Sequence, residues 1–181
     1  MPYKISESWL LNYDNHEHRQ QVEKFIDDYR QYLLNLPTDK QKCECISKMN
    51  QMKRKKYWSC NDININITCG DICYVDFGVG YINECSYQHF GIILKMMNHK
   101  VYVLPMTSNK RTVEKSKLCE KDHLFYIGQP EGLHKETCTF INDGRFINSA
   151  RVISVNAHID TDCKLFKELN KVVIENFCDK I

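Results

Sequence analysis

Four residues of this sequence carry side chains that could handle a proton and stabilise an anion. His89 opens an apolar run, and histidine suits proton transfer because its unperturbed pKa lies near neutral pH. Thr107 ends another apolar run and offers a hydroxyl as a hydrogen-bond donor. Arg145 supplies a guanidinium that stays charged and serves as an anion clamp, and Glu84 precedes His89 by five residues and could orient it.

Each of these residues also has an interpretation without a catalytic role. His89 could be an ordinary histidine at the start of a strand. Thr107 and Ser108 could simply begin a loop, where hydroxyl side chains are favoured. Arg145 follows a turn and could only keep a sheet edge soluble, and Glu84 could be a surface residue. The residues alone leave both interpretations open.

A basic run offers a second kind of site. Lys53-Arg54-Lys55-Lys56 is followed by Tyr57 and Trp58. Cations beside aromatic rings can hold a phosphate backbone while a ring stacks on a base. The alternative is a solvated helix end whose cations complement the negative end of the helix dipole.

Short predicted strands position the candidate residues. Residues 70–78 alternate and end at a glycine, which predicts one strand. One face would carry Ile72, Tyr74 and Phe77, and the other Cys73 and Val75. A polar, aromatic loop over residues 79–88 leads to a second strand at 89–94, and residues 100–108 form a third. Three short strands in about forty residues predict a small meandering barrel with polar residues collected at strand ends.

Helical patterns dominate the first sixty-six residues. Apolar residues recur at spacings of three and four over about residues 16–36, and Pro37 ends this helix. A second helix follows and runs into the basic cluster, so residues 1–66 are predicted to form a helical hairpin. Residues 61–66 alternate and could be a linker or an edge strand.

Weaker patterns follow the third predicted strand. An amphipathic helix closes the chain, with Asp160 and Asp162 available to cap it. The remaining predicted elements are an exposed loop at 108–117, strands at 123–127 and 138–141, a turn at 142–144, an alternating strand at 145–153 and the final helix at 161–177.

Composition predicts a folded chain without a membrane span. The sequence has 181 residues, of which 43% are hydrophobic and 27% charged, so it can bury one core with room for an appendage. A net charge of +2 is too small to indicate a nucleic-acid partner by itself. No signal peptide opens the chain and no apolar run has the length of a membrane span, so we expect a cytoplasmic protein.

Ten cysteines are spaced irregularly, without a C-x-x-C pair. A cytoplasmic location predicts reduced thiols. A zinc site built from Cys43, Cys45, Cys60 and Cys69 is the alternative, but the separation of the first two is not a usual zinc spacing.

The order of these features resembles the MazF/PemK toxins of bacterial toxin–antitoxin systems. The most specific match is the run GDICYVDFG at residues 70–78, followed by a loop with a glutamate, a strand ending in Thr-Ser, an arginine-containing strand and a closing helix. The resemblance covers about residues 68–181 and leaves the hairpin outside. For residues 67–181 it implies a small SH3-like β-barrel with a C-terminal helix, usually in a homodimer. Together with the helical extension that the apolar spacing predicts at residues 1–66, the expected fold class is α+β.

The resemblance implies a toxin that cleaves single-stranded RNA without a metal or other cofactor. Attack by the 2′-OH would give a 2′,3′-cyclic phosphate and a 5′-OH, and a cognate antitoxin would be the protein partner. Glu84 stands where the family has a glutamate, and Thr107 matches the threonine that ends the family's third strand. The spacing of Arg145 and Arg151 fits two basic residues of the family.

His89 is where this chain departs from the family, because His89-Phe90 stands in place of an Arg-Pro pair. The histidine could act as base or acid and leave the phosphate clamp to the arginines. The predicted catalytic residues are His89, Thr107, Arg145 and Glu84, and the predicted RNA-binding residues are Ser108, Arg151, Lys53, Arg54, Lys55, Lys56 and Tyr87. The alternative function is a catalytically inactive module that binds nucleic acid or protein.

Overall fold

The computed structural model describes residues 15–177, with side chains from residue 18 onward. The chain divides into two compact units, Met1–Glu44 and Cys45–Ile181. The division of the chain after residue 66 stays a prediction. The α+β class is confirmed: helices precede an antiparallel sheet and another helix follows it.

Two helices form as the apolar spacing predicts. Helix α1 spans Asn15–Asn35 and helix α2 spans Thr38–Arg54, with Pro37 between them. Tyr29 Oη donates a hydrogen bond to Glu44 Oε1 at 3.0 Å, which ties the two helices of the first unit together. The boundary between the two units falls within α2, so the last ten residues of this helix belong to the second unit.

Seven strands form one antiparallel sheet in the second unit. The strand order is β4-β5-β3-β2-β1-β7, with β6 paired to β3. In the part of the chain that the structure describes, this order leaves the sheet open between β4 and β7. The strands are β1 Asp71–Asp76, β2 Gln88–Met97, β3 Lys100–Thr107, β4 Leu124–Gly128, β5 Thr137–Phe140, β6 Arg145–Asn148 and β7 Val152–His158.

Strand alternation produces two buried clusters, one on each side of β1. Ile72 packs in a cluster with Leu104 and with Leu169 of the closing helix α4, which spans Lys164–Phe177. Cys73 and Val75, which point the other way, belong to a second cluster. The opposite faces predicted for Ile72 and for Cys73 and Val75 are therefore confirmed, because successive side chains of a strand alternate. The face predicted for Phe77 is wrong, because Phe77 belongs to the second cluster and not to that of Ile72.

The expected exposed loop after β3 is wrong, because residues there form helix α3, Lys110–Lys117. Asn109 accepts a hydrogen bond from the Thr112 N–H and caps the helix. Val113 and Ser116 are buried, so the short helix covers part of the sheet. The sequence pattern did not indicate this helix, because its other residues are mostly charged and only Val113 and Ser116 are buried.

Three other predictions need correction. The residues expected to be a linker or edge strand include a 3₁₀ helix at Cys60–Ile63. The alternating stretch after the turn is two strands, β6 and β7, because a 3₁₀ turn at Ser149–Arg151 interrupts it. At the start of α4 the Cys163 Sγ accepts from the Phe166 N–H at 3.4 Å, whereas Asp160 accepts from the Asp162 N–H outside the helix.

Candidate functional site

The loop between β1 and β2 is closed by its own backbone. Phe77 N–H donates to the Tyr87 carbonyl at 2.7 Å, and Tyr87 N–H donates back to the Gly78 carbonyl. Closing the loop here requires positive φ at both of its ends, 85° at Gly78 and 64° at Tyr87. The predicted RNA-binding residue Tyr87 is thus half-buried at the base of the loop, directly before β2.

His89 and Thr107 lie at the same end of neighbouring strands and on the same face of the sheet. The last paired residues of β2 and β3 toward this end are Gly91 and Pro105. Each candidate residue lies two positions farther along its strand, and residues two apart share a face. His89 is exposed and Thr107 half-exposed, so both side chains are accessible to a ligand.

The Thr107 hydroxyl can still donate a hydrogen bond to a ligand. Its Oγ1 accepts a hydrogen bond from the Asn109 N–H at 3.2 Å, and a hydroxyl that accepts can still donate. Ser108 follows in an exposed position, directly before the cap of α3. The hydroxyl predicted to contact a phosphate therefore lies where the strand gives way to a helix.

Arg145 holds the β1–β2 loop. Its Nη2 donates to the Cys85 carbonyl, and its guanidinium lies 5.4 Å from the centroid of the Phe77 ring. Asp143 accepts from the Cys85 N–H through Oδ2 and lies 3.9 Å from the arginine through Oδ1. Asp143 and Arg145 thus bind the N–H and the carbonyl of Cys85, respectively. The arginine that was predicted to be catalytic therefore has a structural contact in the loop.

Cys85, whose backbone Asp143 and Arg145 bind, stays protonated as a thiol. Burial, reinforced by the Asp143 carboxylate, raises the pKa of the Cys85 thiol to about 12, although Arg145 opposes the shift. Because only the thiolate is a strong nucleophile, this cysteine is suited to packing and not to covalent chemistry.

Glu84 shapes the same loop from within. Its Oε2 accepts from the Tyr81 N–H at 3.1 Å, while Glu84 N–H donates to the Tyr81 carbonyl at the same distance. The carboxylate thus stabilises the turn whose tip presents Tyr81 and Ile82, which are 85% and 92% exposed. Glu84 therefore stabilises the loop next to the candidate site.

Asp76, at the end of β1, is a buried carboxylate that the sequence patterns did not single out. Its Oδ1 accepts from Ser47 Oγ at 2.6 Å and from the Gly78 N–H at 3.0 Å. Its Oδ2 accepts from Asn50 Nδ2 at 2.8 Å and from Gln88 Nε2 at 3.1 Å. Burial alone would raise the pKa of this carboxyl, but the four hydrogen bonds outweigh it and hold the pKa below the usual range.

Two arginines fix the end of α2 and the β6–β7 connection. Arg54 Nη1 donates to the Ala150 and Val152 carbonyls at 3.0 and 2.6 Å. Arg151 Nη1 donates to the Phe77 carbonyl at 2.9 Å. Both predicted RNA-binding arginines are therefore anchored to backbone oxygens beside the end of β1.

These anchored arginines line a pocket of about 280 Å³ at the end of β1. We call it the β1-end pocket, and it lies within the second unit. Of the predicted RNA-binding lysines, Lys55 lines it, whereas Lys53 and Lys56 are exposed on the helix end outside it. Six of its lining residues are Lys48, Asn50, Arg54, Lys55, Tyr57 and Arg151.

A helical stripe is the sequence signal that belongs to this polar surface. Ser47, Asn50 and Arg54 are spaced by three and four residues and therefore lie on one face of α2. Their partners are Asp76 and the carbonyls of Ala150 and Val152, which lie far away in the sequence. Without the fold, the stripe therefore looks like an ordinary solvated helix face.

The described part of the chain contains neither a group of metal ligands nor a membrane-spanning helix. Within residues 18–177, no three His, Cys, Asp or Glu side chains are grouped as metal ligands. The nine cysteines described there are free thiols. No helix in the described part of the chain is long and apolar enough to cross a bilayer.

Comparisons with known proteins give structural neighbours only. No family model matches the sequence, and no curated protein matches it. One similar structure is MazF (Form-I) from Deinococcus radiodurans, with 13% identity and a TM-score of 0.47, covering 61% of this chain and 96% of that one. Another is the MazE–MazF complex (Form-II) from the same organism, with 13% identity, a TM-score of 0.43 and coverage of 61% and 95%. At these TM-scores neither neighbour assigns a role to any residue here.

Proposed function

We propose that this protein is a toxin endoribonuclease of a toxin–antitoxin system that cleaves single-stranded RNA without a metal. The observation that carries the proposal is the placement of His89 and Thr107 at one end of adjacent strands, on one face of the sheet. An accessible imidazole and an accessible hydroxyl at the same end of neighbouring strands would supply a proton acceptor and a hydrogen-bond donor for a phosphate. The resemblance in residues 70–78 and at the end of β3 supports the same function.

The reaction needs no nucleophile from the protein. His89 takes the proton from the 2′-OH of the RNA as the O2′–P bond forms. The P–O5′ bond breaks, and the departing 5′-oxygen takes a proton from water, which reaches the site because His89 is exposed. Thr107 donates its hydroxyl to a phosphoryl oxygen as negative charge develops there. The products are a 2′,3′-cyclic phosphate and a 5′-OH.

Arg145 and Glu84 position the loop that borders this site. Arg145 and Asp143 hold the Cys85 backbone, and Glu84 holds the Tyr81 N–H. The Arg145 cation also adds positive charge near the phosphate, although its hydrogen-bonding capacity is partly used by the loop. We propose that RNA passes over this loop, with Arg151, Ser108 and Tyr87 at its edge and the cations of residues 53–56 beside it.

The biological setting belongs to the same proposal. A cognate antitoxin would bind the protein and block the RNA groove, as the resemblance implies, and two copies would form a homodimer in the cytoplasm. Size-exclusion chromatography with light scattering measures the oligomeric state. Loss of the toxicity of this protein on co-expression of a neighbouring gene's product identifies the antitoxin.

End mapping of the cleaved RNA tests the reaction. The purified protein is incubated with a single-stranded RNA in EDTA, and the fragments are examined for 2′,3′-cyclic phosphate and 5′-OH ends. Cyclic-phosphate ends in EDTA support the proposal. Intact RNA that nonetheless binds the protein would establish the alternative, a binding module without catalysis, and cleavage that requires a divalent cation would refute the mechanism.

A further inference from the structure

We propose that the β1-end pocket binds a phosphate group carried by a nucleotide. The pocket lies among residues of α2, the end of β1 and the β6–β7 connection. Helix α2 belongs to the part of the chain that the MazF/PemK resemblance leaves out. None of the pocket's lining residues is His89 or Thr107, so the proposal adds a site to the cleavage reaction. Because Arg54, Lys55 and Arg151 line the pocket, binding of a strand phosphodiester there rests on the proposed function.

The β1-end pocket carries an excess of positive charge. One carboxylate and four cationic side chains line the pocket, so the formal charge is four minus one, or +3. The carboxylate is Asp76, whose two oxygens already accept four hydrogen bonds from protein donors. The excess positive charge favours a di-anionic or mono-anionic group over a cation. The four cations are Lys48, Arg54, Lys55 and Arg151.

Backbone carbonyls hold two arginines of the pocket in place. Arg54 and Arg151 each use only Nη1 in their hydrogen bonds to backbone carbonyls. The Nε and Nη2 hydrogens of both guanidinium groups are left for a ligand, and a planar guanidinium matches phosphate oxygens in a two-bond geometry. Because backbone carbonyls hold both side chains already, a ligand would not have to order them on binding.

The size of the β1-end pocket and its other polar and aromatic side chains indicate which ligands it can hold. A volume of about 280 Å³ is at the lower end of ligand pockets, and accommodates a phosphate with part of a nucleoside. Tyr57 lines the pocket and can stack on a base, and Lys56 Nζ lies 5.3 Å from the centroid of its ring. Asn50 uses its amide nitrogen on Asp76, which leaves its amide oxygen as an acceptor for a base or sugar group.

Titration calorimetry tests the proposal with four probes. They are adenosine 5′-monophosphate, inorganic phosphate, adenosine without phosphate and a short single-stranded RNA. All are titrated into the His89→Ala variant, so that any RNA-cleaving activity does not consume the strand. We expect the monophosphate or the RNA to bind with a strong salt dependence, and adenosine to bind at least about tenfold more weakly because it lacks the charged hydrogen-bond acceptor.

Charge-neutralising variants locate the binding. In the Lys48→Gln/Lys55→Gln variant we expect about a tenfold loss of affinity, since two attractive charges are removed at contact distance. The matched control is Lys42→Gln/Lys110→Gln, which removes the same charge from exposed lysines that do not line the pocket. Arg151→Lys keeps the charge but loses the two-bond geometry, and we expect a similar loss of affinity.

The two sources of phosphate give different patterns. Binding of the monophosphate places a free nucleotide in the pocket, whereas binding of the RNA alone places a strand phosphodiester there; either pattern supports the proposal if the pocket variants weaken it. Equal losses in the pocket and control variants, adenosine binding as tightly as the monophosphate, or no binding of any phosphate-bearing probe would overturn it. Cleavage is not part of the readout, so failure of the proposed nuclease activity leaves these outcomes distinct.

Discussion

The two ends of β1 carry the same residue type in opposite surroundings. At the first end Asp71 accepts from the Thr68 N–H at 2.6 Å and is bonded to His158 Nδ1 at 2.7 Å. At the other end Asp76 collects donors from α2, from β2 and from its own following turn. Both carboxylates are buried, with 7% and 5% exposure, so burial does not distinguish them.

The surroundings of each carboxylate do distinguish the two ends. Gly70 and Ile159 close the Asp71 end: a Cβ at Gly70 would lie 2.2 Å from the Ile159 carbonyl oxygen. The Asp76 end instead opens into a loop, a pocket and a pair of anchored arginines. The hydrogen bond between His158 and Asp71 therefore does not by itself indicate a functional site. Accessible hydrogen-bond donors and cations that converge, as at the Asp76 end, are the stronger indication.

The largest effect that tests this comparison is expected from histidine replacement at the two ends. His89→Ala, at the Asp76 end, should lower the rate of RNA cleavage by at least about a hundredfold, because it removes the proposed proton acceptor. His158→Ala, at the Asp71 end, should leave the rate unchanged. Single-turnover cleavage of a fluorescently labelled RNA measures both.

Thermal unfolding followed by circular dichroism serves as the control for both histidine variants. A fully folded His89→Ala protein that cuts RNA as fast as the parent would contradict the proposed site. A loss in His158→Ala as large as that in His89→Ala would remove the functional distinction between the two ends.

Local patterns predicted the strand itself and the faces of Ile72, Cys73 and Val75, but not the face of Phe77, which follows the end of the strand. The alternation of Ile72, Cys73 and Val75 specifies which side each residue packs on, because the strand period is two and both faces are buried. The same pattern could not predict the role of Asp76. Its three side-chain donors lie 12 to 29 residues away in the sequence, and only the fold brings them to one carboxylate.

The candidate site was predictable only in part for the same reason. The antiparallel order of the strands places His89 and Thr107 at the same end of β2 and β3. The hydrogen bond of Arg145 to the Cys85 carbonyl depends instead on a turn between β5 and β6 meeting a loop sixty residues earlier. No spacing rule encodes such a contact, and a guanidinium that anchors a loop looks the same in a sequence as one that binds phosphate.

Removing each carboxylate should affect stability unequally. Asp76→Ala leaves Ser47, Asn50 and Gln88 without their acceptor, and we expect the free energy of unfolding to fall by about 3 kcal/mol. Asp71→Ala leaves a backbone N–H and a half-exposed imidazole that water can reach, so we expect about 1 kcal/mol. Urea unfolding measures both, provided that the dependence on urea concentration stays that of the parent. Equal losses would show that the two ends are energetically alike.

The acid dependence of stability should follow Asp76. The folded protein holds the pKa of this carboxyl below its ordinary value of 3.8, so the stabilisation is complete above that value. It is lost as the pH falls through the folded pKa, where the carboxylate is protonated. Urea unfolding between pH 7 and about pH 3 should therefore show less acid destabilisation in Asp76→Asn than in the parent. An identical acid dependence of the two proteins would contradict this assignment.

The smallest effect is expected in the β1–β2 loop. Arg145→Gln removes the cation that grips the Cys85 carbonyl, and we expect the loop to open more easily by about 1 kcal/mol. Hydrogen exchange of the Tyr87 amide, which is bonded to the Gly78 carbonyl, reports this opening. The amide of Ile159, bonded to the Gly70 carbonyl at the Asp71 end, is the internal reference and should keep its rate. Faster exchange at both amides would mean that Arg145 supports the whole sheet, whereas faster exchange at Tyr87 alone would establish that it holds the loop at the open end of β1.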